Sequence, residues 1–184
     1  FFPDAMGFRI VGRVSFPLFV WLLVQGEAHT RDVWRYGLRL AVLGVVSQPF
    51  YQLTFGVSQP NILFQLLVSL GCLRLARNFP RLQIPIWLMG GLLSELLDLS
   101  YGSYGVGLTV LIRYFRRSVI WALAWGGGHV IWIRLAGPFQ LPAIAVPLIF
   151  WLTNGQRGPQ ARWFYGFYPG HLALLWLTQR LLMP

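Results

Sequence analysis

The sequence predicts an all-α fold, a polytopic bundle of about eight transmembrane helices. Of its 184 residues 56% are hydrophobic and only 11% are charged, and the mean hydropathy is +0.58. Water-soluble domains carry about 25% charged residues. The apolar runs are continuous and lack the alternation of barrel strands. Backbone groups in lipid must then pair within helices.

Eight apolar runs separated by polar breaks define the elements in order. At about 20 residues per crossing, a chain of this length holds seven or eight crossings. The predicted spans are 9–26, 37–55, 61–75, 84–99, 103–116, 118–136, 139–153 and 163–182. The runs 61–75 and 139–153 are short, which allows for tilt or partial re-entry. We expect residues 1–184 to form a single integral membrane domain.

The arginines divide the breaks between these runs into two alternating sets. All 15 cations are arginine, and the second and fourth breaks contain none. The odd-numbered breaks carry two or three each, namely Arg31 and Arg35; Arg74, Arg77 and Arg81; Arg113, Arg116 and Arg117; Arg157 and Arg162. Arginine concentrates in cytoplasmic loops, so the odd breaks are predicted to face the cytoplasm.

The net charge of +10 does not predict nucleic acid as a partner, because the arginines form short clusters without a basic stripe or an RNA-binding signature. The sequence also contains no phosphate loop, no C-x-x-C and no nucleophile elbow. Three scattered histidines and the single cysteine, Cys72, do not predict a metal site. The usual chemistry of soluble enzymes is therefore not indicated.

Ionisable residues inside apolar runs are the candidate functional groups, because a charge at the bilayer centre costs about 2.5–3.5 kcal/mol even on insertion scales. Arg13 lies in the first span. Glu95 and Asp98, three residues apart, share a helix face and precede the Tyr101–Gly105 turn. These two acids could form the site, or they could pair with Arg13 and only order the bundle.

Two histidines are further candidate functional residues. His171, on the same face as Tyr168, could exchange a proton near neutral pH, although hydrogen-bonded packing is the alternative. His29 lies at a predicted cytoplasmic edge close to Glu27 and Arg31. There, solvated ion pairing competes with binding of an anionic ligand by His29, Arg31, Arg35 and Arg39.

Several short segments occur in an order that resembles the TraX family. They are 11–19 (VGRVSFPLF), 26–31 (GEAHTR), 36–40 (YGLRL), 61–64 (NILF), 98–105 (DLSYGSYG) and 168–172 (YPGHL). The resemblance spans nearly the whole chain. It places Arg13, His29, Arg31, Arg39, Asp98, Tyr101, Tyr104 and His171 at motif positions.

The resemblance implies a multi-pass inner-membrane protein related to membrane acyltransferases, with acetyl-CoA as the expected donor for N-acetylation of a pilin. Members usually begin with another hydrophobic helix that carries an Asp-His pair, just upstream of a segment like residues 1–4. This sequence lacks that helix, which either precedes Phe1 or has been lost. Gln25 stands where a Glu is common, and Tyr51 lies near a frequent Asp.

The leading hypothesis is an integral membrane acetyltransferase in a bacterial inner or internal membrane. His171 would be the base, Arg13 or a tyrosine such as Tyr101 would stabilise the oxyanion, and Asp98 would complete the site. His29, Arg31, Arg35 and Arg39 would bind acetyl-CoA. The acceptor would be a protein or a surface polymer. The alternatives are a non-catalytic subunit that contacts neighbouring subunits of a membrane complex and, third, a transporter or channel.

Overall fold

The computed structural model describes residues 6–153 and 164–182, and all regular structure within these ranges is helical. The prediction of an all-α chain is confirmed. The α-helices are α1 (Met6–His29), α2 (Val33–Phe55), α3 (Ile62–Asn78), α4 (Gln83–Leu96), α5 (Gly102–Arg113), α6 (Val119–Ala136), α7 (Pro147–Leu152) and α8 (Phe164–Leu182). Short 3-10 segments occupy Pro80–Leu82 and Pro138–Ala145.

Seven of the eight predicted spans coincide with a helix to within a few residues. The span 139–153 is wrong as one helix, because the chain there forms a 3-10 segment followed by the short α7. Pro142 lies inside the 3-10 segment and Pro147 begins α7. Since proline has no N–H and clashes with the preceding turn, these two residues prevent a continuous α-helix.

A helix that crosses a membrane must be long enough and apolar enough to span the hydrocarbon core. In the ranges 6–153 and 164–182, no helix combines the length and the apolar character that a crossing requires. Arg157 and Arg162 of the seventh break lie outside these ranges.

The chain divides into two compact units, and the prediction of a single domain stays a prediction. Unit 1 comprises residues 1–28 and 107–157, and unit 2 comprises residues 29–106 and 158–184. Each is described by itself below.

Unit 1 has an aromatic core. Trp21 stacks on Phe150 with the ring centroids 4.4 Å apart, and Phe115 meets Trp121 edge to face at 4.7 Å. Trp125 stacks on Trp121 at 5.2 Å. Such pairs contribute about 0.5–1.5 kcal/mol beyond the burial of their area, so aromatic contacts supply much of the packing in this unit.

Two polar groups complete unit 1. His129, 1% exposed, lies against Trp125, and its Nδ1 is 2.8 Å from the Trp125 carbonyl oxygen. The Arg117 guanidinium donates to the carbonyl oxygens of Trp151 and Thr153 at 3.1 and 2.7 Å. Carbonyls at the end of a helix have no partner within it, so Arg117 caps the C-terminus of α7.

Unit 2 is built around α2, which packs on α3 and α8, while α3 also packs on α4. The Thr54 hydroxyl donates to the Leu172 carbonyl oxygen at 3.4 Å, and Phe50 contacts Trp176. As the α2 residue number falls, its α8 partner number rises, so the two helices are antiparallel. The N-terminal half of α8 therefore lies beside the C-terminal end of α2.

Glycine allows the start of α5 to approach α3. A Cβ on Gly105 would lie 2.7 Å from Cδ of Gln65, a fully buried residue whose Nε2 donates to Ser94 Oγ at 3.3 Å. Gln65 cannot move aside without losing that bond. A Cβ on Gly107, in the same helix, would meet nothing within 4 Å.

These two glycines form a matched pair for a stability test. Gly105→Ala is expected to lower the free energy of unfolding by about 1–3 kcal/mol through overpacking. Gly107→Ala is expected to raise it by roughly 0.5–1 kcal/mol, because alanine is the better helix former. Chemical or thermal unfolding of the two purified variants measures the difference. Equal effects would contradict the close approach at Gly105.

Candidate functional site

A group of polar and aromatic side chains meets in unit 2, where α2 ends, α3 and α5 begin, and α8 completes its first turns. We call this group the tyrosine cluster. It consists of Tyr51, Ser100, Tyr101, Tyr168 and His171. The Tyr168 phenol lies within electrostatic range of the phenols of Tyr51 and Tyr101.

The loop 56–61 below the cluster is fixed by the buried side chain of Asn61. Its Oδ1 accepts from the Leu63 N–H at 3.0 Å and so caps α3. Its Nδ2 donates to the Gly44 carbonyl oxygen at 2.8 Å and to Gln48 Oε1 at 2.9 Å. Asn61 therefore joins the start of α3 to the body of α2.

Ser100 orders the hydroxyl protons in the cluster. Its Oγ donates to the Pro60 carbonyl oxygen at 2.6 Å and lies 3.4 Å from the Tyr51 hydroxyl. A carbonyl oxygen can only accept, and a serine hydroxyl has one proton to donate. Ser100 must therefore accept from Tyr51, so the Tyr51 proton is committed to Ser100.

Asp98 and Glu95 have separate partners. Asp98 is exposed, has φ +47°, and its Oδ1 accepts from Gln59 Nε2 at 3.1 Å. Glu95 Oε1 accepts from the Ser103 N–H at 2.7 Å, in the first turn of α5. A carboxylate at this position satisfies a free N–H and complements the helix dipole. Glu95 thus has a capping function, whereas the exposed carboxylate of Asp98 contacts Gln59.

His171 is held in one tautomer by its own helix. Its Nδ1 is 2.9 Å from the Phe167 carbonyl oxygen, and its ring stacks on that of Phe167 with a centroid distance of 5.0 Å. Because the carbonyl only accepts, Nδ1 carries the proton, and Nε2 of the neutral ring has the basic lone pair. The Tyr168 ring meets the His171 ring edge to face at 5.3 Å.

The family model described as TraX protein matches residues 2–179. The chain belongs to the TraX family. It is also similar to a probable fimbrial assembly protein FimC, serogroup H1, of Dichelobacter nodosus, with 30% identity over 196 residues that cover 91% of this chain and 80% of that protein. No solved structure matches the chain.

The TraX motif residues fall into three places. Asp98, Tyr101 and His171 lie in or beside the tyrosine cluster. Arg13 is a half-buried residue of α1 in unit 1. The residues predicted to bind the donor are exposed around the start of α2; they are His29, Arg31, Arg35 and Arg39.

The N-terminal end of α2 is cationic. Asp32 caps this helix by accepting from the Arg35 N–H at 2.9 Å, and its second oxygen is 3.0 Å from Arg35 Nε. The Arg39 guanidinium lies 6.0 Å from the centroid of the Tyr36 ring. Along α2, Arg39 and Thr54 are separated by about 22 Å at the helical rise of ~1.5 Å per residue. Phosphate binding at this end thus requires a long ligand to reach His171.

One assignment from the sequence is corrected. Solvated ion pairing of His29 with its neighbour Glu27 is predicted above, yet Glu27 is 1% exposed, and its helix α1 continues to His29. Asn61 lies in the segment 61–64 that resembles the TraX family, but the motif alone predicts no role for it. The neutral side chain of Gln48 gives no signal in the sequence. In the described parts of the chain, no group of three His, Cys, Asp or Glu residues is placed to hold a metal ion.

Asn61 provides a test of the loop that supports the cluster. Asn61→Ala is expected to lower the free energy of unfolding by about 2–4 kcal/mol, because it removes a helix cap and leaves buried partners unpaired. Asn61→Ser retains a capping oxygen but is too short to replace both donated bonds, so a smaller loss is expected. Unfolding curves of the two variants measure both values. A loss below ~0.5 kcal/mol for both would refute the bridging role.

Proposed function

We propose that this TraX protein is an integral membrane acetyltransferase that moves an acetyl group from acetyl-CoA to an amine or hydroxyl of a pilin-like protein or a surface molecule. The observation that carries the proposal is the fixed tautomer of His171. Its Nδ1 is bonded to the Phe167 carbonyl oxygen, so Nε2 is available as a general base beside Tyr168. Acyl transfer needs such a base to take the acceptor's proton.

We assign the acceptor site to the tyrosine cluster because it combines a base with hydroxyl groups, and the exposed carboxylate of Asp98 precedes Ser100 by two residues. The His171 ring is half-buried, between Phe167 and Tyr168. An acceptor amine next to Asp98 would be attracted by that charge and could transfer its proton to Nε2. The role proposed for Asp98 is therefore to position the acceptor.

Binding of acetyl-CoA is assigned to the N-terminal end of α2. Arg31, Arg35 and Arg39 are exposed there, and guanidinium groups bind phosphate oxygens through charge-assisted hydrogen bonds. His29 would add a further donor. Since about 22 Å of helix separates Arg39 from the level of His171, the donor would extend along α2 with its thioester toward the cluster.

Exposed apolar side chains support a lipid environment. Ile84, Leu88 and Leu96 of α4 are 74%, 69% and 74% exposed. On α6, Ile120 and Leu123 are 81% and 70% exposed. Contiguous apolar surface of this kind marks a membrane or protein contact. A bilayer, in a bacterial inner or internal membrane, is the partner that fits the low charge of the whole chain.

A fimbrial acceptor is supported by the similarity described above. The Dichelobacter nodosus relative is named as a probable fimbrial assembly protein. A pilin-like subunit with a free amine is therefore the first acceptor to test, and a surface polymer hydroxyl is the second.

The base assignment predicts that His171→Asn abolishes most of the transfer. An asparagine amide can still donate to the Phe167 carbonyl oxygen but has no basic nitrogen, so kcat is expected to fall by at least about 100-fold. Mass spectrometry of a pilin-like acceptor incubated with acetyl-CoA and the purified protein measures the acetylated product.

Thr178→Ala, on the same helix, is the matched control and should retain the wild-type rate. Undiminished transfer by His171→Asn would exclude His171 as the base. If the wild-type protein acetylates no acceptor and is recovered only in one stoichiometric complex, the non-catalytic subunit is the better interpretation.

If the arginines at the N-terminal end of α2 bind the phosphates of acetyl-CoA, KM for acetyl-CoA should depend on the salt concentration. Arg31→Gln and Arg39→Gln are each expected to raise KM for acetyl-CoA roughly twofold to fivefold, as for exposed ion pairs, and the difference should shrink at high salt. A short acetyl thioester without the nucleotide should show no change. Arg116→Gln, an exposed arginine of unit 1, is the control. Equal KM values in all the arginine variants would refute this assignment.

A further inference from the structure

In the tyrosine cluster, Tyr168 has a hydroxyl proton that it could donate to a substrate oxygen. The proton of Tyr51 is committed to Ser100, as shown by the Ser100 bond to Pro60. The Tyr168 phenol, in contrast, lies near the Ile62 backbone at the start of α3 and near the phenols of Tyr51 and Tyr101. Among the described residues, the contacts of Tyr168 leave its O–H uncommitted.

Tyr168 and the proposed base, His171, lie on the same helix, α8. Tyr168 and His171 are three residues apart on α8, so they share one helix face. Their rings meet edge to face at 5.3 Å, and the Tyr168 side chain is half-buried. A basic nitrogen and a hydroxyl donor thus lie next to each other on one rigid element, which favours catalytic precision.

We propose that Tyr168 is the oxyanion-stabilising residue of the acyl transfer, an inference that rests on the proposed function. The acceptor atom forms a bond to the acetyl carbonyl carbon, the C=O electron pair moves to oxygen, and His171 Nε2 takes the acceptor's proton. The Tyr168 O–H donates to that oxygen and keeps its own proton. The C–S bond then breaks, the C=O re-forms, and the CoA thiolate takes the proton from His171.

The assignment separates Tyr168 from the other candidates. Tyr101, predicted from the sequence, stacks on Tyr104 with the centroids 6.4 Å apart and lies on a different element from His171. Tyr168 is the candidate that shares both a helix and a ring contact with the base.

Steady-state kinetics of Tyr168→Phe test the proposal. Removal of one oxyanion donor lowers kcat by about 100-fold to 1,000-fold, while KM for acetyl-CoA should change less than about threefold because the donor acts in the transition state. Tyr114→Phe, which removes a phenol of unit 1, should have wild-type kcat and KM. Wild-type kcat in Tyr168→Phe, or a change confined to KM, would overturn the assignment.

A second variant keeps the test valid if Tyr168→Phe unfolds. Fluorotyrosine at position 168 keeps the ring and hydroxyl but makes the O–H a stronger donor, so kcat should change relative to tyrosine in a folded protein. An identical kcat would overturn the proposal. The two levels of inference also remain distinguishable, since an inactive wild-type protein contradicts the acetyltransferase function, whereas an active wild type with an active Tyr168→Phe contradicts only the role of Tyr168.

Discussion

The buried carboxamide of Asn61 is the interaction on which the geometry of the candidate site depends. It caps α3 and donates two hydrogen bonds to α2, so one side chain fixes both the helix start and the distance between the two helices. The chain segment before it presents the Pro60 carbonyl oxygen to Ser100. Ser100 in turn determines which way the Tyr51 proton points. Asn61 follows Pro60 in the chain. The hydrogen bonds of Asn61 thus fix the carbonyl that sets the direction of the hydrogen bonds in the tyrosine cluster.

The same local contact holds His129 and His171, yet their surroundings give them different properties. Each ring lies against an aromatic ring four residues earlier and contacts the carbonyl of that residue through Nδ1, with Trp125 for His129 and Phe167 for His171. His129 is 1% exposed within the aromatic core of unit 1. His171 retains solvent access and tyrosine neighbours. Burial, and not backbone geometry, distinguishes a packing histidine from a candidate base.

The helices were predictable from apolar runs, because continuous hydrophobicity interrupted by arginine, glycine and proline is a local property. The run 139–153 failed because two prolines outweighed its hydrophobicity. The site was predictable in part. Motif order identified Asp98, Tyr101 and His171, but their common location depends on the antiparallel packing of α8 against α2, a contact between residues 118 positions apart. The proximity of Tyr51 to Tyr168 depends on that packing as well, whereas the bonds of Asn61 join only α2 and α3.

The left-handed backbone of Asp98 has a consequence for how relatives are compared. A φ of +47° is accessible to asparagine and aspartate but strained for branched side chains. Turn geometry alone would thus restrict this position to a few residue types, whether or not the carboxylate takes part in chemistry. A homologue with asparagine here would preserve the bend and lose the charge, so the identity of this residue across an alignment reports on shape before it reports on activity.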